Sequence, residues 1–141
     1  MVDGQRPSLL VRGHNVESGD VVRVRQNEGL QYIDFHVLRL RRGEVFVGSS
    51  ATNESTFVIL GGSADITTAE SSWRGVGKRS DPFSGPPSAV YLPKETPYEV
   101  RAVSDLEFAL CEAPGQKRLP ARLIEVAQND GYVRGLSLIH I

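Results

Sequence analysis

Cysteine is nearly absent. Cys111 is the single one in 141 residues, which excludes an intrachain disulfide framework and suits a reducing compartment. Net charge is almost nil: 16 Lys and Arg stand against 17 Asp and Glu. A basic surface for nucleic acid or for an anionic membrane is therefore not expected. No apolar run reaches the length that crosses a bilayer as a helix. Met1 to Arg6 is not followed by the apolar core of a secretory signal, so a cytoplasmic location is expected. Long helical periodicity is missing too, since no stretch repeats apolar residues at helical spacing between recognisable caps.

The chain does carry β-rich segments broken by turn residues. Hydrophobic residues make up 40% and charged residues 23%, the balance of a soluble domain with its own core. Thr56 to Thr67 is the organising stretch. Phe57 to Leu60 has no polar face, which predicts a central strand covered on both sides. Gly61-Gly62 follows and predicts a tight hairpin into Ser63–Thr67. Upstream, Val2 to Val11 reads as an edge strand or arm. Arg12-Gly13-His14-Asn15 and Glu17-Ser18-Gly19-Asp20 read as turns. Gly29 to Glu44 holds the first strong strand. Ile33, Phe35 and Val37 alternate there before Leu38 and Leu40 switch parity, which predicts a bulge or burial of both faces.

Glu44 to Val47 is a short strand, and Gly48 to Ser55 reads as a loop. Ser71 to Ser88 is the longest irregular piece, with Trp73 and Phe83 as its anchors. Ala89 to Leu92 is a strand stopped by Pro93. Tyr98, Val100 and Ala102 alternate in another, and Leu106, Phe108 and Leu110 in the next. Leu119 to Val126 is extended or a short helix. Short strands at roughly ten-residue spacing indicate an all-β antiparallel sandwich or barrel.

Strand-rich barrels of this kind often carry a metal between strands, as the usual cupin barrel does. Two histidines two apart follow a glycine by six positions, a carboxylate comes next, and a further histidine follows a later proline. Counting from Gly43 places these at Ser49, Ala51 and near Glu54 or Ser55; counting from Pro93 places the last at Tyr98. A divalent transition metal takes about three or four protein donors, and Glu54 alone cannot hold one. No metal, cofactor or catalytic residue is therefore assigned in this chain.

His14, His36 and His140 share no spacing. Asp34 stands two residues from His36 on one strand face, a pair able to orient an imidazole. Cys111 has no basic activator nearby in sequence and reads as a small buried hydrophobe. Gly75-Val76-Gly77-Lys78-Arg79-Ser80 is not a phosphate loop: Ser72 replaces its first glycine, Arg79 its Ser or Thr, and Asp81-Pro82 opposes a following helix. Trp73, Arg74, Lys78 and Arg79 gather in that segment. They form either a solvated loop on a buried Trp and Phe, or a plate and cations that grip a sugar acid.

Four stretches together carry a family resemblance. They are Phe35 to Glu44; Gly75 to Arg79 with Phe83 and Ser88 to Pro93; Asp105 to Pro114; and Pro120 to Ile124 with Arg134-Gly135. In this order and spacing the chain resembles the amino-terminal half of 5-deoxy-glucuronate isomerases, which are related to 4-deoxy-L-threo-5-hexosulose-uronate ketol-isomerases. The resemblance implies a jelly-roll cupin barrel over residues 1–135, one domain of a two-cupin architecture. Residues 136–141, Leu136 to Ile141, do not continue the pattern, as if the chain were truncated. It further implies a divalent metal in the missing carboxy-terminal cupin, a small-molecule sugar acid as partner of the full-length enzyme, and a homo-oligomer. The implied reaction is an aldose–ketose isomerisation within inositol catabolism, with this half inactive alone. The alternative is a non-catalytic sugar-acid-binding cupin module that uses the loop from Trp73 to Arg79.

Overall fold

The structure is a computed structural model and describes residues 10–26 and 30–126. Among these no α-helix forms. The strands are β1 (Gly19–Val24), β2 (Asp34–Leu40), β3 (Val45–Ser49), β4 (Asn53–Gly61) and β5 (Ala64–Thr68). They continue with β6 (Ser72–Val76), β7 (Ser88–Leu92), β8 (Pro97–Ala102), β9 (Leu106–Pro114) and β10 (Arg122–Glu125). Two antiparallel sheets result. One has six strands in the order β1-β2-β9-β4-β7-β10, the other four in the order β3-β8-β5-β6. They pack face to face as a jelly roll whose ladders do not close into a continuous barrel.

β4 lies centrally, between β9 and β7. Ser55, Phe57 and Ile59 are buried on its inner face, while Thr56, Val58 and Leu60 on the other are only half-buried. The expected two-sided cover is thus replaced by ordinary alternation. The expected hairpin at Gly61-Gly62 is not one either. β4 and β5 belong to different sheets, and the glycines carry the chain between layers. Gly62 has φ +88° and a Cβ there would collide with the Asp105 carbonyl. Its N–H donates to Arg79 O at 2.9 Å, and Ser63 N–H donates to Ser104 Oγ at 3.0 Å. Close approach between segments, rather than a two-residue turn, is what these glycines provide.

β2 pairs with β9 in unbroken register, and both Val37 and Leu38 are buried. The parity switch therefore reflects cover on both faces, not a bulge. Gly19-Asp20 opens β1 rather than completing a turn, and the ladder of β1 with β2 shifts between Asp20 and Val22. Gly48 to Ser55 is mostly strand, split between the end of β3 and the start of β4, so the loop shrinks to Ser50–Thr52. The piece from Ser71 likewise contains β6, whose Trp73 pairs with Ile66. Trp73 packs on the core, but Phe83 is 98% exposed and anchors nothing. Leu10 and Val11 are exposed without regular structure. Residues 1–9 of the expected arm and the tail 136–141 fall outside the described residues.

The core lies between the sheets. Phe57, Phe108, Ile59, Ile66, Leu92, Val90 and Val100 are the largest of its fully buried apolar side chains. Four rings fill its middle. Phe57 meets Tyr98 edge-on at 4.8 Å between centroids, and Phe46 meets Phe108 edge-on at 6.0 Å. Such aromatic pairs add to the burial energy of their area.

Candidate functional site

The cupin metal positions do not converge. Ser49 is exposed at the end of β3. Ala51 sits in a left-handed turn, φ 49°, where its carbonyl accepts from Glu95 N at 2.6 Å. Glu54 lies on the outer face, where Tyr91 Oη donates to its Oε2 at 2.7 Å. Burial, together with that bond to a carboxylate, pushes the Tyr91 phenol up to about 12. Tyr98 points the other way, into the core, 5% exposed. Burial raises its phenol, helped by the Glu112 charge. Glu54 and Tyr98 are thus on opposite sides of one wall. Among the described residues no group of three or more His, Cys, Asp and Glu is placed to hold a metal ion. The donor set does not fit a divalent transition metal.

His36 does find a carboxylate, but not Asp34. Its Nε2 pairs with Asp20 Oδ1 at 2.7 Å, while Asp34 Oδ1 accepts from Gln26 N at 2.5 Å. The i, i+2 rule places Asp34 and His36 on one face, yet β1 brings Asp20 closer to the ring, a pairing that needs knowledge of which strand lies beside β2. His14 is exposed, its backbone N–H donating to Val21 O at 2.8 Å. His140 falls outside the described residues. Cys111 is half-buried, and burial pushes its thiol up, away from the reactive thiolate form.

The segment after Trp73 does not assemble a grip for an acid. The Arg79 guanidinium is directed inward. It donates to Ile59 O at 3.0 Å, to Gly85 O at 3.1 Å and to Pro82 O at 3.3 Å. Trp73 faces the core while Arg74 and Lys78 are exposed. An open hollow of about 850 Å³ lies beside this segment, lined in part by Arg39, Arg41, Arg42, Ser80 and Asp105. Arg39 Nε is paired with Glu107 at 2.5 Å and Arg41 with Glu17 at 2.7 Å. Its cations are therefore largely matched within the chain.

The inner face turns polar at the end where β3 turns into β4. Glu112 of β9 lies opposite Ser55 of β4 and opposite Asp34 of β2. Glu112 Oε2 accepts from Asn53 Nδ2 at 3.3 Å. Burial raises this carboxyl and Asp34 adds to the rise, against the pull of Asn53, His36 and Arg23. These groups form an inward cluster beside the core. The sequence offered no signal for it, because its members come from four strands whose pairing had to be known first.

A model of the KduI/IolB family matches residues 9–139. The chain belongs to the KduI/IolB family. It is 40% identical over 121 residues to a 5-deoxy-glucuronate isomerase of Geobacillus thermodenitrificans, a match that covers 84% of this chain and 44% of that enzyme. The chain spans about half the length of the curated relatives it matches. Among solved structures, an IolB-like protein from Salmonella typhimurium superposes with a TM-score of 0.78 at 37% identity, over 84% of this chain and 45% of that one. The cupin domain of Schizosaccharomyces pombe Cnp3 superposes with a TM-score of 0.50 at 18% identity, over 66% of this chain and 62% of that one. That likeness supports the cupin fold alone. Membership of the KduI/IolB family thus agrees with the jelly roll built from the strands above.

Proposed function

We propose that this chain is the amino-terminal half of a 5-deoxy-glucuronate isomerase, a cupin scaffold that does not turn over substrate by itself. The observation that carries the reading is the span: 84% of the chain aligns with only 44% of a named isomerase, at 40% identity. The geometry supports the division of labour. An aldose–ketose isomerisation moves a proton between neighbouring carbons, using a base and an electrophile on the carbonyl. Here the middle of the interior is occupied by Phe46, Phe57, Tyr98 and Phe108. Of the two positions that spacing assigns to a metal carboxylate, Glu54 faces outward to Tyr91 and Ser55, which faces inward, is no carboxylate. The chemistry, and the divalent metal that serves it, would then belong to the second cupin. This half would pack against that barrel and contribute to a homo-oligomer in the cytoplasm. The reaction served is the conversion of 5-deoxy-glucuronate to 5-dehydro-2-deoxy-gluconate in inositol catabolism.

The test is turnover of 5-deoxy-glucuronate by the isolated chain with divalent manganese, iron or zinc added. No rate above the blank is expected. A metal-dependent rate would overturn the scaffold reading.

A further inference from the structure

The outward positions of the two sheets differ in kind. On the four-stranded sheet, Arg101 stands between Val45 and Asp65, and Glu99 between Val47 and Thr67. Arg101 and Glu99 also pair with each other at 3.5 Å. That is the polar outer side of an antiparallel sheet that faces water. The six-stranded sheet is different. Its register lines up Val22, Val37, Ala109, Val58, Ala89 and Ile124 in one outward row across its six strands. The adjacent row holds Phe35, Cys111, Thr56 and Tyr91. Val37 and Ala109 are buried yet lie outside the core between the sheets, and Val58, Ala89 and Ile124 are half-buried. Val58 and Leu60, both outward, are the reason the run from Phe57 has no polar side in the sequence.

Residues 13–16 lie over one corner of this face. Gly13 sits against Val22, and Asn15 and Val16 are tied to Arg39. From β2 to β10 the face is about 24 Å wide at the usual strand spacing, and its outward rows run about 20 Å along the strands. Side-chain relief adds to that footprint, so two such faces pressed together bury more than about 1,000 Å², the size a specific interface needs. Charge does not oppose a like partner. Arg39 is matched by Glu107, and Glu54 accepts from Tyr91 Oη at 2.7 Å. Arg122 is exposed on the edge strand, at the rim. Ala89 and Ala109 are small, which lets a second sheet approach to about 10 Å. A two-fold axis through the face brings identical rows together, the isologous arrangement of most dimers.

We propose that the outer face of the six-stranded sheet is the interface of a two-fold dimer, its occupant a second copy of this chain. The proposal gives the proposed homo-oligomer its surface; it rests on that part of the reading and not on isomerase chemistry, which the turnover test reads separately. The test is sedimentation equilibrium of the whole chain, with alkylation of Cys111, its single thiol, as a probe of cover. A species of twice 15.4 kDa is expected at micromolar concentration, with Cys111 alkylated faster as the chain is diluted. Val58→Lys should raise the dimer dissociation constant about tenfold or more, with an unchanged circular dichroism spectrum. Ile124→Lys, on an edge strand where lysine is tolerated, should do the same and replaces Val58→Lys if that variant does not fold. Thr67→Lys, on the polar outer side of the other sheet, should leave the dimer intact. A monomeric parent would overturn the proposal. With Cys111 protected, the face would then belong to the chain's own residues outside 10–126; with Cys111 reactive, it would belong to a different partner, such as the second barrel of the longer relatives. A dimer that both lysine variants leave unchanged would overturn it as well, since the copies would then meet elsewhere.

Discussion

Phe57 makes no contact with solvent and stands 4.8 Å, centroid to centroid, from Tyr98. Cutting it back to alanine leaves a hole bounded by rings that cannot collapse into it. Phe57→Ala should therefore cost about 3–5 kcal/mol in denaturant unfolding; a loss under about 1 kcal/mol would mean the rings are not a close-packed plug. Glu112 makes a prediction of the opposite kind. Burial holds its carboxyl above the ordinary range, with Asp34 adding to the rise. The folded chain thus binds this proton more tightly than the unfolded one. The stabilisation is fully present below the ordinary carboxylate pKa and is lost as pH rises through the raised folded value. Glu112→Gln, which stays neutral, should match the parent Tm near about pH 4 and exceed it near about pH 7. A pH series of melting curves with a constant gap between the two proteins would contradict this.

Strands were legible wherever alternation is strong. β8 and β9 follow directly from Tyr98, Val100 and Ala102 and from Leu106, Phe108 and Leu110, each alternately buried. β7 ends at Pro93 for the reason proline ends strands. Pairing was not legible. Gly61-Gly62 carries the local signature of a hairpin, but its second glycine answers to Asp105, a contact 43 positions distant in the chain. β6 was hidden because Gly75, at φ +62°, breaks its pattern. The polar end of the interior was hidden for the same reason as the hairpin error: only register brings Ser55, Glu112 and Asp34 together.

Two measurements belong to this scale. Gly62→Ala meets both a positive φ and the Asp105 carbonyl, and should destabilise the fold by about 2 kcal/mol or more. A melting temperature within about 1 °C of the parent would show that the crossover relaxes freely. Arg79→Lys removes the fork that reaches Ile59, Pro82 and Gly85, since lysine cannot bridge three carbonyls in one plane. Faster amide exchange across residues 77–87, with little change in β4 and β9, is the expected outcome. Exchange rates equal to the parent's would place the loop's order elsewhere, in the Asp81–Ser84 turn.

At the scale of the whole molecule, the family resemblance was legible in four separated stretches, and family membership is shown by the match over residues 9–139. Inward positions of β4, β8 and β9 need bulk to fill the space between sheets, and rings supply it. The same positions in a metal-binding barrel must point imidazoles and carboxylates inward. One chain cannot use a position both ways, which is the physical basis of the proposed scaffold role.

That claim is most directly tested by the metal content of the purified chain and by calorimetric titration with divalent manganese, iron and zinc. The account predicts substoichiometric metal and no saturable heat that depends on Glu54 or Tyr98. One tightly held ion per chain, released by Glu54→Ala or Tyr98→Phe, would contradict it.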